Sequence, residues 1–294
     1  MKFYRAYVEV TNVCGLACSF CPPKMQPTVT MPLPFFESVL MQLRTYTDEL
    51  ALHVMGDPMV LSNLDDYLEC AHRLHFKVMI TTSGFYLDTS RREMVFHPSI
   101  KQINISLNSF NKNSVARTFD DYIQNVLALC DQKLSGEHDF FINLRLWNLD
   151  EACSEETFNH QLFDVLEEHF SLGRGYIHNS MSGERQGIRL ASKILLHFDR
   201  YFEWPKLQNN VIGDGYCQGL SRQIAVLADG RVVPCCLDGE GIMELGNLHR
   251  TNLGKILTSE RAVAMVEGFK KGLATEELCQ KCSYKERFEK GSYS

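Results

Sequence analysis

The chain has 294 residues, is 45% hydrophobic and 22% charged, and carries a net charge of −6, an ordinary composition for one large or two small soluble domains. No stretch approaches about 18 consecutive apolar residues and MKFYRAYVEV has no apolar signal core, so a membrane span and a secretory signal are excluded and a cytoplasmic protein is predicted. The acidic balance argues against a nucleic-acid partner, and eleven cysteines in a reducing compartment argue for metal ligation before disulfides.

In chain order, FYRAYVEV (3–10) reads as a strand, PFFESVLMQLRTY (34–46) as an amphipathic helix and LALHVM (50–55) as a second strand. SNLDDYLECAHRLH (62–75) follows as a helix, with Ser62 as its N-cap. FKVMITT (76–82), IKQINISL (100–107) and FFINLRLW (140–147) are further strands, and GYIHNS (175–180) is a predicted sixth. Helical patterns at DDYIQNVLALCDQ (120–132) and SEETFNHQLFDVLEEHF (154–170) separate or follow them. SGERQG (182–187) reads as a loop and KILLHFDRYFEW (193–204) as a helix, which puts a domain boundary in this region, between 185 and 186. Beyond it, SRQIAVLADGRVVPCC forms two strand-like runs joined at Asp229-Gly230, a strong hairpin signal, followed by NLGKILTS, a charged helical stretch through Lys271 and a terminal CQKC.

Repeated strand–helix units predict an α/β fold with a parallel sheet, open or closed into a barrel. Ile103, Ile105 and Leu107 share one strand face and Asn104, Ser106 and Asn108 the other. Ile142, Leu144 and Leu146 likewise oppose Asn143, Arg145 and Trp147, while Val8 and Val10 oppose Tyr7 and Glu9. Helices would cover the aliphatic faces, leaving the polar faces to line an interior, as a substrate chamber requires; the alternative is the solvated face of an antiparallel sheet.

Cys14, Cys18 and Cys21 follow the first strand with the spacing CxxxCxxC. Structural zinc takes four ligands and no fourth follows on this loop, whereas three thiolates suit a 4Fe–4S cluster with one iron left open. With Phe20 in the aromatic place of CxxxCx(aromatic)C, the sequence resembles the radical SAM superfamily. That resemblance implies a 4Fe–4S cluster on Cys14, Cys18 and Cys21 whose open iron binds S-adenosyl-L-methionine (AdoMet). Reduction would cleave AdoMet to methionine and a 5′-deoxyadenosyl radical, with a flavodoxin- or ferredoxin-type protein as electron donor. MGDP (55–58) resembles the GGEP-type motif that holds the AdoMet amino group, through Gly56, Asp57 and Pro58; Met55 and Asp57 depart from its commonest letters. TTSG (81–84) resembles the segment beside the nucleoside, through Thr82 and Ser83. Phe20, Ser106, Asn108 and Arg145 complete the implied AdoMet contacts, Arg145 as a planar partner for the carboxylate. Each also reads as loop punctuation or strand-end polarity.

A second constellation comprises Cys217, Gly230-x4-Cys235 and Cys279-x2-Cys282. It resembles the SPASM and twitch extensions of the same superfamily, as does LGNLHRTNLGKILTSE, and implies one auxiliary 4Fe–4S cluster, since further cysteines between 237 and 278 are absent. Cys236 competes with Cys235, but neighbours on a strand point opposite ways and the spacing selects Cys235. A zinc site on the same four cysteines is the rival reading. Cys70, Cys130 and Cys153 are expected to pack as small hydrophobes.

The resemblance implies a partial parallel (β/α)6 TIM-like barrel (1–185) followed by a small α+β SPASM/twitch domain with a β-hairpin (186–294). The implied reaction is hydrogen abstraction from a small-molecule or peptide substrate, then oxidation of the substrate radical through the auxiliary cluster. The layout most resembles twitch-type dehydrogenases of aminoglycoside biosynthesis. Peptide (RiPP) maturases come next; they often carry a leader-recognition domain, for which there is no room before Cys14. RNA modification by the same chemistry and a non-catalytic metal-binding protein are the remaining alternatives. Glu9, His53 and Arg145 are candidates for catalytic roles in the chamber, and of these Glu9 and His53 could take a proton. His53 also reads as a core histidine, and Glu9 as a residue that orients the cysteine loop. Arg174, Tyr176 and His178, on the predicted sixth strand, are candidate substrate contacts.

Overall fold

The fold is that of a computed structural model, which describes residues 2–147, 155–181, 187–199 and 203–288. Strand β1 (Arg5–Val8) leads through the cysteine loop to helix α1 (Leu33–Leu43). Then come β2 (Glu49–Ala51), α2 (Leu64–Arg73), β3 (Lys77–Thr82), α3 (Thr89–Met94) and β4 (Ile100–Ser106). They are followed by α4 (Phe119–Ser135), β5 (Phe141–Leu146), α5 (Glu156–His169) and α6 (Tyr176–Met181). Strands β6 (Gly187–Ala191) and β7 (Ile194–Phe198) precede β8 (Gln223–Val226), β9 (Arg231–Val233) and β10 (Gly246–Asn247). Helices α7 (Leu253–Leu257), α8 (Glu260–Lys270) and α9 (Glu277–Gln280) complete the chain. Among the described residues no helix is long and apolar enough to cross a membrane.

The helices form where an apolar stripe repeats at the helical period. Phe36, Val39, Leu40 and Leu43 are the buried face of α1, and Leu64, Tyr67, Leu68 and Ala71 that of α2. Asn63, not Ser62, is the N-cap of α2, and its side chain makes no capping bond; Asp65 and Asp66 in the first turn meet the positive end of the helix dipole instead.

The chain divides into two compact units. The first comprises the described residues of 2–15, 20–79 and 203–288. Its strands run in the order β10-β9-β8-β1-β2-β3, with β8, β1, β2 and β3 parallel and β9 and β10 antiparallel. Val8 lies beside Val226, so the hairpin β8–β9 extends the sheet from the edge of β1. Gly230 closes the hairpin at φ +86°, a conformation that costs any L side chain.

The second unit comprises residues 16–19 and the described residues of 80–199. In it β4, β5 and β7 are parallel, and β6 is antiparallel to β7. Ile103, Ile105, Ile142 and Leu144 are fully buried. On the opposite face Gln102, Ser106, Asn143 and Arg145 are half-buried and Asn104 is 0% exposed. Its amide donates to the Ile80 carbonyl at 3.3 Å and Thr81 Oγ1 at 3.2 Å, and its oxygen accepts from Gln102 at 2.7 Å and Asn143 at 3.2 Å. A buried polar group with every partner supplied fits the expected interior face rather than a solvated one.

Two segments differ from the sequence reading. GYIHNS is not the sixth strand: Gly175 turns at φ +76° and residues 176–181 form α6. The Glu167 carboxylate accepts the Gly175 and Ile177 N–H groups at 2.6 and 2.7 Å, satisfying donors at the helix start. The place beside β5 is taken by β7, within the stretch KILLHF read as helix. Ile194, Leu196 and Phe198 are buried and alternate with half-exposed Leu195 and His197, a period of two. LALHVM is strand only at its start, as β2. Most of SGERQG lies outside the described residues.

Candidate functional site

The root of the cysteine loop is pinned from several sides. Glu9, 2% exposed, directly follows β1. Its Oε1 accepts the Met55 N–H at 2.8 Å and its Oε2 the Ala228 N–H at 3.2 Å, and the Gly56 N–H also bonds the carboxylate. Burial pushes its carboxyl up to about 7, against the pull of those three donors. Glu9 therefore joins three segments: the loop root, the MGDP turn and the hairpin turn. The Asp57 N–H bonds the Val13 carbonyl at 2.9 Å. A Cβ on Gly56 would lie 1.9 Å from the Thr11 carbonyl oxygen, so only glycine lets the MGDP turn approach the loop this closely. The Asn12 side chain accepts the Val29 N–H at 2.8 Å from the returning strand of the loop. From this root the loop leaves with Cys14 half-buried, Cys18 buried and Cys21 exposed. Within the second unit, Cys18 Sγ lies 3.9 Å from the Ser109 carbonyl and the Ser19 N–H bonds the Lys112 carbonyl at 2.8 Å. None of the ten described cysteines is in a disulfide.

The other residues of the AdoMet reading are placed as follows. Phe20 is half-buried. The Asp57 carboxylate accepts the Met59 N–H at 3.0 Å and closes the 3-10 turn Pro58–Val60. Thr82 and Ser83 are buried, their hydroxyls accepting the Gly84 and Phe85 N–H groups at 3.2 and 3.3 Å. Ser106 ends β4 half-buried, and Asn108 is buried in the 3-10 turn Leu107–Ser109. The Arg145 guanidinium lies 5.0 Å from the Trp147 ring centre, and Trp147 Nε1 donates to His197 Nδ1 at 3.2 Å. Burial and the Arg145 charge hold His197 below the usual imidazole range. In the first unit, His53 packs edge-on to Tyr7 at 5.6 Å.

The substrate contacts expected on the sixth strand do not share a strand face, because that strand is a helix. Arg174 is exposed, Tyr176 is 44% exposed, and the His178 ring lies 5.8 Å from that of His160. Conversely, His197 was hidden by the helical reading of its segment, because the apolar run ILLHF fits either period.

The second constellation lies wholly in the first unit. Burial first, and then the charge of Cys282, push the Cys217 thiol up to about 11. Cys235 is raised well above the usual range by burial and then by Cys217, Cys236, Cys279 and Cys282; Cys279 is raised by burial, Cys217 and Cys282. Cys282 is raised by burial. Four half-buried thiols within electrostatic reach of one another resist deprotonation together unless a cation joins them, and a bound metal reverses that balance. Backbone donors already face two of the sulfurs: Gly219 N–H lies 3.4 Å from Cys217 Sγ, and the Tyr284 and Lys285 N–H groups bond Cys282. Among the described residues no three His, Cys, Asp or Glu side chains are arranged around a single ion. Four thiols, with backbone N–H groups aimed at two of their sulfurs, are the donor set a 4Fe–4S cubane takes, and the residues fit that group.

Cys236 faces elsewhere. It packs with Tyr7 and Met55 against Val54, Ala225, Leu227 and Val233. Its charge, and then burial, raise the Tyr7 hydroxyl, which hydrogen-bonds the Cys236 sulfur. Cys70 and Cys130 are buried in α2 and α4, and burial pushes the Cys130 thiol up to about 12. Cys153 lies outside the described residues.

The model of the Radical SAM superfamily matches residues 8–152, and that of the SPASM iron-sulfur cluster-binding domain matches residues 217–283. The chain belongs to the radical SAM superfamily. It carries a SPASM-type extension. Solved structures of this superfamily share the fold. BtrN in complex with AdoMet and 2-DOIA is similar at TM-score 0.62 and 18% identity, over 96% of this chain and 94% of that one. SuiB of Streptococcus suis bound to S-adenosylmethionine is similar at TM-score 0.61 and 16% identity, over 96% and 70%. anSMEcpe with bound AdoMet and Cp18Cys peptide is similar at TM-score 0.55 and 14% identity, over 96% and 86%. No curated protein matches the chain by sequence. These likenesses bear out the expected fold class, a partial parallel TIM-like barrel followed by a small domain with an antiparallel hairpin. The cofactors of this radical SAM enzyme are an AdoMet-binding 4Fe–4S cluster, AdoMet itself and auxiliary iron–sulfur chemistry in the SPASM region.

Proposed function

We propose that the protein is a radical SAM oxidoreductase of a small molecule, with Cys14, Cys18 and Cys21 holding the AdoMet-binding cluster and Cys217, Cys235, Cys279 and Cys282 holding one auxiliary 4Fe–4S cluster. The observation that carries the oxidative part is that Cys217, Cys235, Cys279 and Cys282 lie within electrostatic reach of one another, while Cys236 packs with Tyr7. Four protein ligands occupy every iron of a cubane, which suits it to electron acceptance rather than substrate binding. When bound, the reduced first cluster and AdoMet supply a 5′-deoxyadenosyl radical that abstracts a substrate hydrogen, and the auxiliary cluster supplies a one-electron acceptor for the substrate radical.

The chain's own residues bind, orient and enclose. Phe20, Gly56, Asp57, Pro58, Thr82, Ser83, Ser106, Asn108 and Arg145 are the proposed AdoMet contacts. The Asp57 carboxylate, by accepting the Met59 N–H, fixes the turn that carries Gly56 and Pro58. Glu9 orients: with both oxygens accepting backbone N–H groups it anchors the loop root. Arg145 and His53 are proposed for polar roles at the substrate, His53 as the proton acceptor. The core domain is assigned to 1–185 and the auxiliary domain to 186–294, in a cytoplasmic protein reduced by a flavodoxin- or ferredoxin-type donor.

Peptide modification is the second reading, supported by the peptides in the structures of SuiB and anSMEcpe. The test offers the reduced, anaerobic protein AdoMet with polyhydroxylated amines or with short peptides, each deuterated at carbon. A small molecule that passes deuterium to 5′-deoxyadenosine and emerges two hydrogens lighter supports the proposal. Cys279→Ala should still transfer deuterium but leave that molecule unoxidised. Transfer from peptides alone would replace the proposal with the second reading.

A further inference from the structure

Lys285 is 4% exposed, in the 3-10 turn Ser283–Arg287 directly after the last cysteine pair. Lysine is rarely buried so completely. Its Nζ donates to the carbonyls of Cys279 at 3.0 Å, Cys282 at 2.9 Å and Gln280 at 3.4 Å. An ammonium has three N–H donors, and all three meet an oxygen of the CQKC turn. The same turn is tied to the backbone elsewhere: the Cys279 carbonyl also accepts the Cys282 N–H at 3.3 Å, and the Gln280 carbonyl the Ile212 and Gly213 N–H groups at 2.8 and 3.0 Å. The stem of the side chain runs past Gly215, two residues before Cys217. A Cβ at that glycine would lie 3.0 Å from Lys285 Cδ. Lys285 thus touches the chain on both sides of the cysteine group.

Its charge is also distinct from that of the neighbouring cation. Arg261 lies within electrostatic reach of Cys279, but it is paired with Glu276 at 2.7 Å. The partners of Lys285 Nζ are carbonyls, which orient an ammonium without neutralising it. Its charge acts on both Cys217 and Cys282.

The geometry points to Lys285 as a positioning residue of the auxiliary cluster: it ties down the backbone of Cys279 and Cys282 and supplies a fixed positive charge that favours the reduced cluster. This rests on the proposed cluster at Cys217, Cys235, Cys279 and Cys282. A cubane with four thiolates is anionic and gains a further negative charge on reduction, so a nearby cation raises its potential; net charge and hydrogen bonding are what tune such clusters.

The test is a redox titration followed by electron paramagnetic resonance. It is done in full-length protein carrying Cys14→Ala, Cys18→Ala and Cys21→Ala, so that the signal belongs to the auxiliary cluster. Lys285→Gln keeps amide donors and removes the charge, while Lys285→Arg keeps the charge. At the parent's midpoint the Gln variant should show a reduced-to-oxidised ratio about tenfold lower, a downward shift of about 59 mV for a one-electron couple. The Arg variant should stay close to the parent. If the Gln variant assembles fewer clusters, the midpoint is read on those that form. An unchanged midpoint in Lys285→Gln overturns the inference while leaving the cluster in place. A parent protein without iron and sulfide overturns the reading on which it rests.

Discussion

Glu9 decides how the first cluster loop meets the rest of its unit, and its chemistry is set by competition. Three backbone N–H groups favour the anion and burial favours the acid; burial wins, taking the carboxyl from 4.5 to about 7. A folded-state value above the unfolded one gives stability that is complete below about pH 4.5 and lost as pH rises through about 7. Wild type should therefore lose on the order of 3 kcal/mol relative to Glu9→Gln across that window, and no more above it. Denaturant unfolding of both proteins at a series of pH values checks this. A difference independent of pH would show that Glu9 does not titrate in the folded state. Strand parity gave Glu9, His53 and Arg145 alike as polar candidates. The Tyr7 partner of His53 was not legible, because an edge-on ring contact leaves no mark in spacing.

At the scale of elements, alternation carried the reading where it was long and strict. β4 and β5 lie where IKQINISL and FFINLRLW placed them, with Asn104 fully buried on the polar side. It failed where the pattern was short. GYIHNS offers a single buried apolar residue, Ile177, and the deciding contact, the Glu167 carboxylate on its first N–H groups, comes from another helix. KILLHF fits either period, and its pairing with β5 settled it as strand. The hairpin was fully legible, because Asp229-Gly230 demands its turn. From that hairpin comes the test of the second cysteine group. Adjacent residues after β9 face opposite ways, Cys235 toward the other three thiols and Cys236 toward Tyr7. Cys235→Ala should lower iron from about eight to about four atoms per chain, while Cys236→Ala retains about eight. Iron and sulfide analysis of anaerobically reconstituted protein reads the difference; the reverse result would exchange the two ligands.

For the whole molecule, two clues were legible from cysteine spacing alone: a three-thiol loop after the first strand and a four-thiol group late in the chain. The superfamily and SPASM matches fall on those two regions. What spacing could not carry is the support around each group. The Gly56 approach to Thr11, the Glu9 junction and the Lys285 tripod join residues 45 to 219 positions apart or bond backbone atoms that no motif records. Substrate identity is of the same kind, since it depends on side chains converging from several strands. The central claim is that Cys14, Cys18 and Cys21 leave one iron open for AdoMet. It is tested most directly by incubating the reduced, anaerobic protein with AdoMet and measuring 5′-deoxyadenosine. Wild type should produce it and Cys14→Ala should not, while the variant keeps its auxiliary iron; equal formation by the two proteins would contradict the account.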